Sequence, residues 1–449
     1  MLIQNVRNAL LDLTDFNQLK SELNRLPPVD VGDYIAELPP DKQAIAFRLL
    51  NKNHAIDVFE YLPADVQESL LNSLQDLQIA QIVEAMSPDD RVELFDELPA
   101  GVVQRLLRQL SPSERQATAT ILGYAEGTAG RVMTTEYVQL RQGLTIGEAL
   151  RKIRLQDRDK ETIYYAYVTD DNRKLVRVVS LRQLLFTIPE VSIKDIASDR
   201  VVKVSTETPQ EEVAQLMKRY DLIALPVVDR EERLVGIITI DDVVDILEEE
   251  ATEDIQKLAG VSGGDEAALS PPLVTLRKRL PWLLGNIGLY IGAAGAIAPF
   301  QGVIAFVPVL AVIMPILSNT SGNVAIQALS VTVRGLGVGE VTPKDTLKIL
   351  HKEVTAGLGT ALALGLALGI LSLIWSPPQE RWVSIVAATV MAVNVFVAAT
   401  LGTVLPMGLK RLNLDPALIS GPLLTTILDA VGFLTFLSLI SFFLKVFGS

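Results

Sequence analysis

The stretch DPALISGPLLTTILDAVGF (415–433) leads into an apolar segment, 420–444, that holds one carboxylate, Asp429. At 1.5 Å per residue a helix of that length crosses the ~30 Å hydrocarbon core of a bilayer. A charged side chain at such a depth costs at least ~2.5–3.5 kcal/mol, so it is retained only where water, a partner or an ion meets it. No Lys or Arg lies in the core of any apolar segment of this chain, which leaves a cation as the natural partner. Thr425 precedes Asp429 by one turn and Gly432 follows by about one turn, giving a narrow polar face suited to a pore lining.

Working outward, the C-terminal part offers five such segments: 282–300, 303–333, 354–375, 382–406 and 420–444. The second carries Pro308, Pro315 and the polar run Ser318-Asn319-Thr320-Ser321, which predicts a kink or a break. It also carries a polar stripe, Asn323, Gln327, Ser330 and Arg334, along one helical face. Two readings of the stripe stand: it lines the conduction path, or it bonds to neighbouring helices. Asn394 adds a polar group in the fourth segment. Basic residues set the orientation. Arg277, Lys278, Arg279, Arg334, Lys344, Lys348, Lys352, Lys410 and Arg411 fall on one side, and only Arg381 and Lys445 on the other. That places the N-terminus inside and the C-terminus outside. An odd number of spans argues against an internal inverted repeat and for a pore at a two-fold between chains. Gly288/Gly292 and Gly365/Gly369 supply spacings for close helix approach, within a chain or between chains.

The remainder of the chain is of opposite character. Of 449 residues, 271–449 hold 11 Lys/Arg against 6 Asp/Glu, whereas 1–270 hold 29 against 47. An acidic portion of net charge −18 is thus joined to a membrane portion of net charge +5. The acidic part repels phosphates, which excludes a nucleic-acid binder. Zero Cys excludes thiolate metal sites and disulfides, and His54 and His351 cannot make a multi-histidine site. Metal chemistry here rests on oxygen ligands and hard cations. Asp12, Asp15 and Glu22 break the pattern of a signal peptide, so the soluble part is expected in the cytoplasm.

Residues 1–130 read as an acidic helical-repeat domain, a small α-solenoid. Pro39, Pro63, Pro88 and Pro112 recur at spacings of 24, 25 and 24, each followed two residues later by Asp41, Asp65, Asp90 or Glu114. Pro suits the first helical position, and an acid in the first turn meets the positive end of the helix dipole. Residues 131–250 change to β-branched runs alternating with helices, as two copies at 131–194 and 195–250. LVGIITIDDVVDIL (234–247) is strand, turn and helix start, and AYVTDDNRKLVRVVSLRQLL (166–185) repeats it more loosely. The pair resembles tandem CBS domains. In that family a Thr-x-x-Asp element often holds the ribose of an adenosine nucleotide, which makes Thr239 and Asp242 candidates for ATP binding. Helix capping explains the same two residues. The first copy departs from the pattern at Arg177, where glycine is usual, and at Gln183, where the acid would be. A linking helix and linker follow at 246–275, with Leu247-Glu248-Glu249-Glu250 and Glu253-Asp254 before Ser262-Gly263-Gly264. Such a run is either a solvated face or a divalent-cation site. The membrane domain occupies 276–449.

PILSNTSGNVAIQALSVTVRGLGVGEV (315–341) and DPALISGPLLTTILDAVGF (415–433) resemble the two signature stretches of MgtE-type magnesium channels, with Ser321 and Ala325 where glycines are usual. The order of parts matches over nearly the whole chain. The resemblance implies a multidomain membrane protein: α-solenoid, α/β CBS pair, linking helix and five-span all-α domain. It further implies a homodimer in the cell membrane whose pore passes Mg²⁺ along the dimer axis. The family's pore acid falls on Asp429, with Thr425 and Thr426 nearby; Asn323 and Gln327 join them as polar-stripe candidates. The family's regulatory Mg²⁺ sites fall among Asp89, Asp90, Asp242, Asp245, Glu250, Glu253 and Asp254. Cytoplasmic Mg²⁺ bridging these acids would close the pore through the linking helix.

Three rivals differ in kind. An ATP-driven pump lacks its Walker A sequence, since GLGVGE (335–340) has no lysine. A proton- or sodium-coupled divalent-cation transporter would use Asp429 as a relay, and imposed gradients separate it from a passive pore. A nucleotide-regulated membrane sensor would have no use for the acid in its last span. An enzyme is not indicated, as no nucleophile–base spacing is recognisable.

Overall fold

The computed structural model of the protein describes residues 16–73, 76–156, 160–268, 270–412 and 414–447. Expectations for residues 1–15 and for the side chains of Asp41 and Asp65 lie outside the described residues. The chain forms two compact units, Met1–Val244 and Asp245–Ser449.

The first unit opens with short helices from Phe16–Leu23 to Pro112–Leu122. Each of several packs on the next but one: Pro28–Ala36 on Lys52–Glu60, Pro40–Arg48 on Ala64–Ser73, and Pro88–Glu97 on Pro112–Leu122. Pro88 and Pro112 do sit in the first helical turn, but Pro39 and Pro99 stand one place earlier, at the cap. Ser87 and Ser111 cap their helices, accepting from the backbone N–H of Asp90 and Glu114 at 3.3 and 3.4 Å. The core runs from Leu19 and Leu23 through Val58, Phe59 and Leu70 to Leu106 and Leu110. Arg91 is fully buried and satisfied there. It donates to the carbonyls of Val83 and Met86 at 2.7 and 2.6 Å, to Thr118 at 2.9 Å and to Glu114 at 3.0 Å.

Two sheets of identical topology follow. In one, β1 (Tyr137–Arg141) runs parallel to β2 (Thr162–Thr169), which pairs antiparallel with β3 (Leu175–Ser180). In the other, β4 (Val204–Ser205), β5 (Ala224–Val228) and β6 (Leu234–Thr239) repeat this order. Parallel neighbours need a crossover, supplied by the helices Ile146–Gln156 and Gln210–Tyr220. Arg177 and Gly236 occupy equivalent places, opposite Val168 and Val227. Gly236 is required at its own: a Cβ would stand 2.5 Å from Met133 Sδ and 2.8 Å from the Thr134 carbonyl. Arg177 instead donates to the Ala197 carbonyl at 2.9 Å.

The second unit begins within the linking helix, Ile240–Leu258, and its described residues form five further long helices. The first is Pro272–Ile297, the second Leu310–Gly337, the third Thr346–Trp375, the fourth Trp382–Arg411 and the fifth Gly421–Phe447. Among the described residues, four helices are long and apolar enough to cross a membrane: Pro272–Phe306, Pro343–Trp375, Trp382–Arg411 and Gly421–Val446. The second helix is not among them, because its polar stripe and central Ser-Asn-Thr-Ser run lower its hydropathy. The expected span 303–333 also starts late. Gln301–Phe306 is a separate short helix, and Pro308 stands just before the second helix begins at Leu310. Pro315 is accommodated inside that helix.

Glycines set the closest approaches. A Cβ on Gly365 would lie 2.7 Å from the Ala388 carbonyl, and one on Gly402 would lie 2.6 Å from that of Ala325. The third, fourth and second helices therefore meet backbone to backbone. Gly288 and Gly292 meet nothing within 4 Å, and the first helix has no buried residue. Of the two small-residue spacings, only the one on the third helix serves packing within the chain.

The linker is not a loose tether. Gln256 and Glu266 bond in both directions at 2.8 Å, Arg279 donates to Glu266 at 2.9 Å, and Ser262 N–H donates to the Lys278 carbonyl at 3.1 Å. Gly260, with φ +86°, lies against Trp282, where any side chain would collide.

Candidate functional site: a carboxylate in the helix bundle and an acidic cluster in the soluble unit

The second and fifth helices run antiparallel and match turn for turn. Ser318 donates its hydroxyl to Asp429 Oδ1. One turn further along each, Gly322 faces Thr425, whose Cγ2 would stand 2.9 Å from a Cβ on the glycine. Asn394 of the fourth helix fills the third corner. Its amide donates to Ser321 at 2.9 Å and lies against Gly432, where a Cβ would be 2.5 Å from Nδ2. Asp429 is buried, 9% exposed, and among the described residues no Lys or Arg forms an ion pair with it. A buried carboxylate with one hydroxyl and no fixed counter-ion is a place for a mobile cation.

The other pore candidates divide. Thr425 and Thr426 lie on the fifth helix with Asp429, and both bond back to the Pro422 carbonyl, at 3.0 and 2.8 Å. The Thr426 hydroxyl also lies 2.9 Å from the side-chain amide of Asn286 on the first helix, an alternative hydrogen-bond partner to the Pro422 carbonyl. Asn323 and Gln327 are not brought to Asp429 within the chain. With Ser330 and Arg334 they are exposed, on a face turned away from the buried row Ser321, Gly322, Ala325 and Leu329. Among the described residues the amides of Asn323 and Gln327 bond to no neighbouring helix. Sequence reasoning missed Ser318 and Asn286 as partners. The polar run 318–321 was the available signal, read only as a helix irregularity.

In the soluble unit the structure gathers Asp89, Asp90 and Asp242, with Glu60, Glu161 and Asp241 near them. Glu60 is pushed up to about 8 by desolvation and by the carboxylates of Asp90, Asp57, Glu161 and Asp89. Glu161 reaches the surface but is crowded around its carboxyl, and is pushed up to about 7 by that desolvation, then by Asp89, Asp90, Asp241 and Glu136. Asp89 and Asp242 are raised by burial and by neighbouring carboxylates, Asp90 for the first and Asp89 for the second. Asp89 Oδ1 is buried without a hydrogen-bond partner among the described residues. An orphaned oxygen inside a field of like charges fits a hard cation, although no three of the described acids converge into a finished cage.

Thr239 and Asp242 form the capping pair: the Thr239 N–H and hydroxyl both donate to Asp242 Oδ2, at 3.0 and 2.8 Å. Ser180 and Gln183 make the same box in the first copy, so the missing acid costs nothing locally. Neither Thr239 nor Asp242 lines the cleft of about 260 Å³ at the two hairpin turns, which is bordered by Asp171, Arg173, Asp229 and Arg233.

Asp245, Glu250, Glu253 and Asp254 lie further along the linking helix, in the second unit. Glu253 pairs with Lys257, which also donates to Asp415 at 2.7 Å, and Asp254 approaches Gly337 at the end of the second helix. Leu258 packs among Ala325, Leu424 and Leu428. The acids expected as one regulatory set thus fall into a group around Asp89 in the first unit and a group along the linking helix in the second.

Family profiles match three parts of the chain: a divalent cation transporter domain at 314–439, an MgtE intracellular N domain at 26–127, and CBS domains at 129–190 and 193–249. The chain is 36% identical to the magnesium transporter MgtE of Thermus thermophilus over 428 residues, 94% of each chain. It is 31% identical to that of Bacillus subtilis over 425 residues, 95% of this chain and 94% of the other. The chain is also similar to a crystal structure of the cytosolic domain of the Mg²⁺ channel MgtE in complex with ATP, with TM-score 0.51 and 38% identity, covering 53% of this chain and 96% of that one. With a full-length relative, matching domains in the same order and a buried acid inside the transporter segment, the chain belongs to the MgtE family of divalent cation transporters and is not an enzyme.

Proposed function

We propose that this protein is a homodimeric, five-span Mg²⁺ channel of the cell membrane, passive in operation, with its soluble part in the cytoplasm. The observation that carries the reading is Asp429, a buried carboxylate among membrane helices with no cationic partner among the described residues. Mg²⁺ sheds water reluctantly, so carboxylates from two chains can hold a hydrated ion through its waters without binding it too tightly to leave. The relatives' names supply the ion, and the exposed stripe of Asn323 and Gln327 and the open first helix supply a surface for a second copy.

Closure is proposed to start in the soluble unit. Asp89, Asp90 and Asp242 would hold a regulatory Mg²⁺, whose charge relieves the repulsion that adds to burial in raising the pKa values of Asp89 and Asp242. The linking helix carries the consequence onward: its Lys257 and Leu258 engage the loop and helices at the bundle mouth. Asp245, Glu250, Glu253 and Asp254 form the second regulatory group on this helix. Swinging a two-state pore from 1:99 to 99:1 takes about 5.5 kcal/mol, within reach of several relieved carboxylate contacts. ATP is a second cytoplasmic ligand, supported by the similar structure that holds it.

Flux of Mg²⁺ into liposomes, with low Mg²⁺ on the cytoplasmic side and no other gradient, tests the reading. Wild-type protein should conduct and Asp429→Asn should not. Flux that waits for a proton or sodium gradient would replace the channel by a coupled transporter.

A further inference from the structure

We propose that Ser318 is a positioning residue that orients the pore carboxylate and thereby sets discrimination among divalent cations. The inference rests on Asp429 being the ion site. Within a helix, a serine ordinarily returns its hydroxyl proton to a carbonyl one turn back. Ser321 does so, donating to Leu317 at 2.9 Å, and is left to accept from Asn394. Ser318, on the same helix, gives its proton to Asp429 Oδ1 instead. One hydroxyl has one proton, so this bond marks Oδ1 as the tethered oxygen and leaves Oδ2 to face an ion.

The tether holds because the helices cannot slide. Gly322 against Thr425 and Gly432 against Leu317 Cδ2 leave no room for a change of register between the two helices on either side of the Ser318–Asp429 pair. A carboxylate with one oxygen fixed offers a single acceptor in a fixed direction. That suits an ion bound through an ordered octahedral water shell. It disfavours Ca²⁺, which takes carboxylates in bidentate fashion and tolerates irregular shells. Freed of Ser318, Asp429 could turn both oxygens to an ion, and the advantage of Mg²⁺ over Ca²⁺ would shrink.

The experiment compares Mg²⁺ and Ca²⁺ influx through full-length wild type, Ser318→Ala, Ser318→Thr and Asp429→Asn in liposomes, with the melting temperature of each purified protein recorded. Ser318→Ala should lower the Mg²⁺-to-Ca²⁺ ratio about tenfold, the scale of losing one hydrogen bond to a charged group. Ser318→Thr, which keeps the hydroxyl, should restore most of the ratio. An unchanged ratio in Ser318→Ala overturns the proposal. So does an equal loss in Ser318→Ala and Ser318→Thr, which would assign Ser318 to packing. Full Mg²⁺ flux through Asp429→Asn is the separate result that removes the ion site itself.

Discussion

Lys257 of the linking helix donates to Asp415, 2.7 Å away, in the turn that leads into the fifth helix. The same ammonium pairs with Glu253 one turn back, so one side chain ties the linking helix to the approach of the helix that carries Asp429. Burial opposes its charge, but the bonds to Asp415 and Glu253 outweigh that and hold the pKa above the ordinary lysine value. The pair is 21% and 35% exposed, sheltered enough to matter mechanically.

On the closure proposed above, Lys257→Gln should therefore weaken it. About 1 kcal/mol lost from the link corresponds to roughly a fivefold rise in the cytoplasmic Mg²⁺ that half-closes the pore. Flux measured against a titration of cytoplasmic Mg²⁺ reads this directly, and Lys257→Arg should retain most of the wild-type response. Identical titrations for wild type and Lys257→Gln would mean that Leu258 and its apolar neighbours carry the coupling alone.

The soluble unit should lose stability as pH rises. Glu60 and Glu161 hold their protons to about 8 and 7 when folded, against 4.5 for an ordinary glutamate. The folded state then binds more protons than the unfolded one between those limits, and stability falls as pH climbs through the folded values. In EDTA, the protection factors for hydrogen exchange over residues 82–98, taken against the intrinsic base-catalysed rate at each pH, should fall from pH 6 to pH 8.5. Glu60→Gln should flatten the slope, and added Mg²⁺ should slow exchange most at the alkaline end. Protection factors that do not change with pH in EDTA would contradict the crowding of these acids.

Gly432→Ala should damage both fold and flux. The added Cβ meets Asn394 Nδ2 at 2.5 Å and Leu317 Cδ2 at 3.1 Å, an overpacking of about 1–3 kcal/mol. Combining it with Asn394→Ala removes the obstacle, so the double variant should melt higher than the sum of the single changes predicts. Strict additivity in the melting temperatures would show that the two residues do not share the space.

Much of this architecture is written locally. The repeated prolines, the strand–turn–helix pattern at 234–247 and the lone acid at 429 each announce themselves through neighbours in sequence. What the sequence left hidden are pairings across distance: Ser318 with Asp429, 111 residues apart, and Lys257 with Asp415, 158 apart. Periodicity tells which face of a helix is polar but not which helix that face will meet. The same limit explains Asn323 and Gln327, which share an exposed stripe and bond to no neighbouring helix among the described residues. It explains Glu60 too, which comes to Asp89 and Asp90 from a different helix and has no local mark of its own.

The modest hydropathy of Leu310–Gly337 bears on how the protein is made. During synthesis this helix reaches the membrane before the fourth helix, whose Gly402 receives the Ala325 backbone, and before the fifth, whose Thr425 covers Gly322. Its polar groups then have no shelter from lipid. The segment that holds Ser318 is thus a late settler: on the proposed reading, the surroundings of Asp429 are complete only once the later-made helices have closed around it.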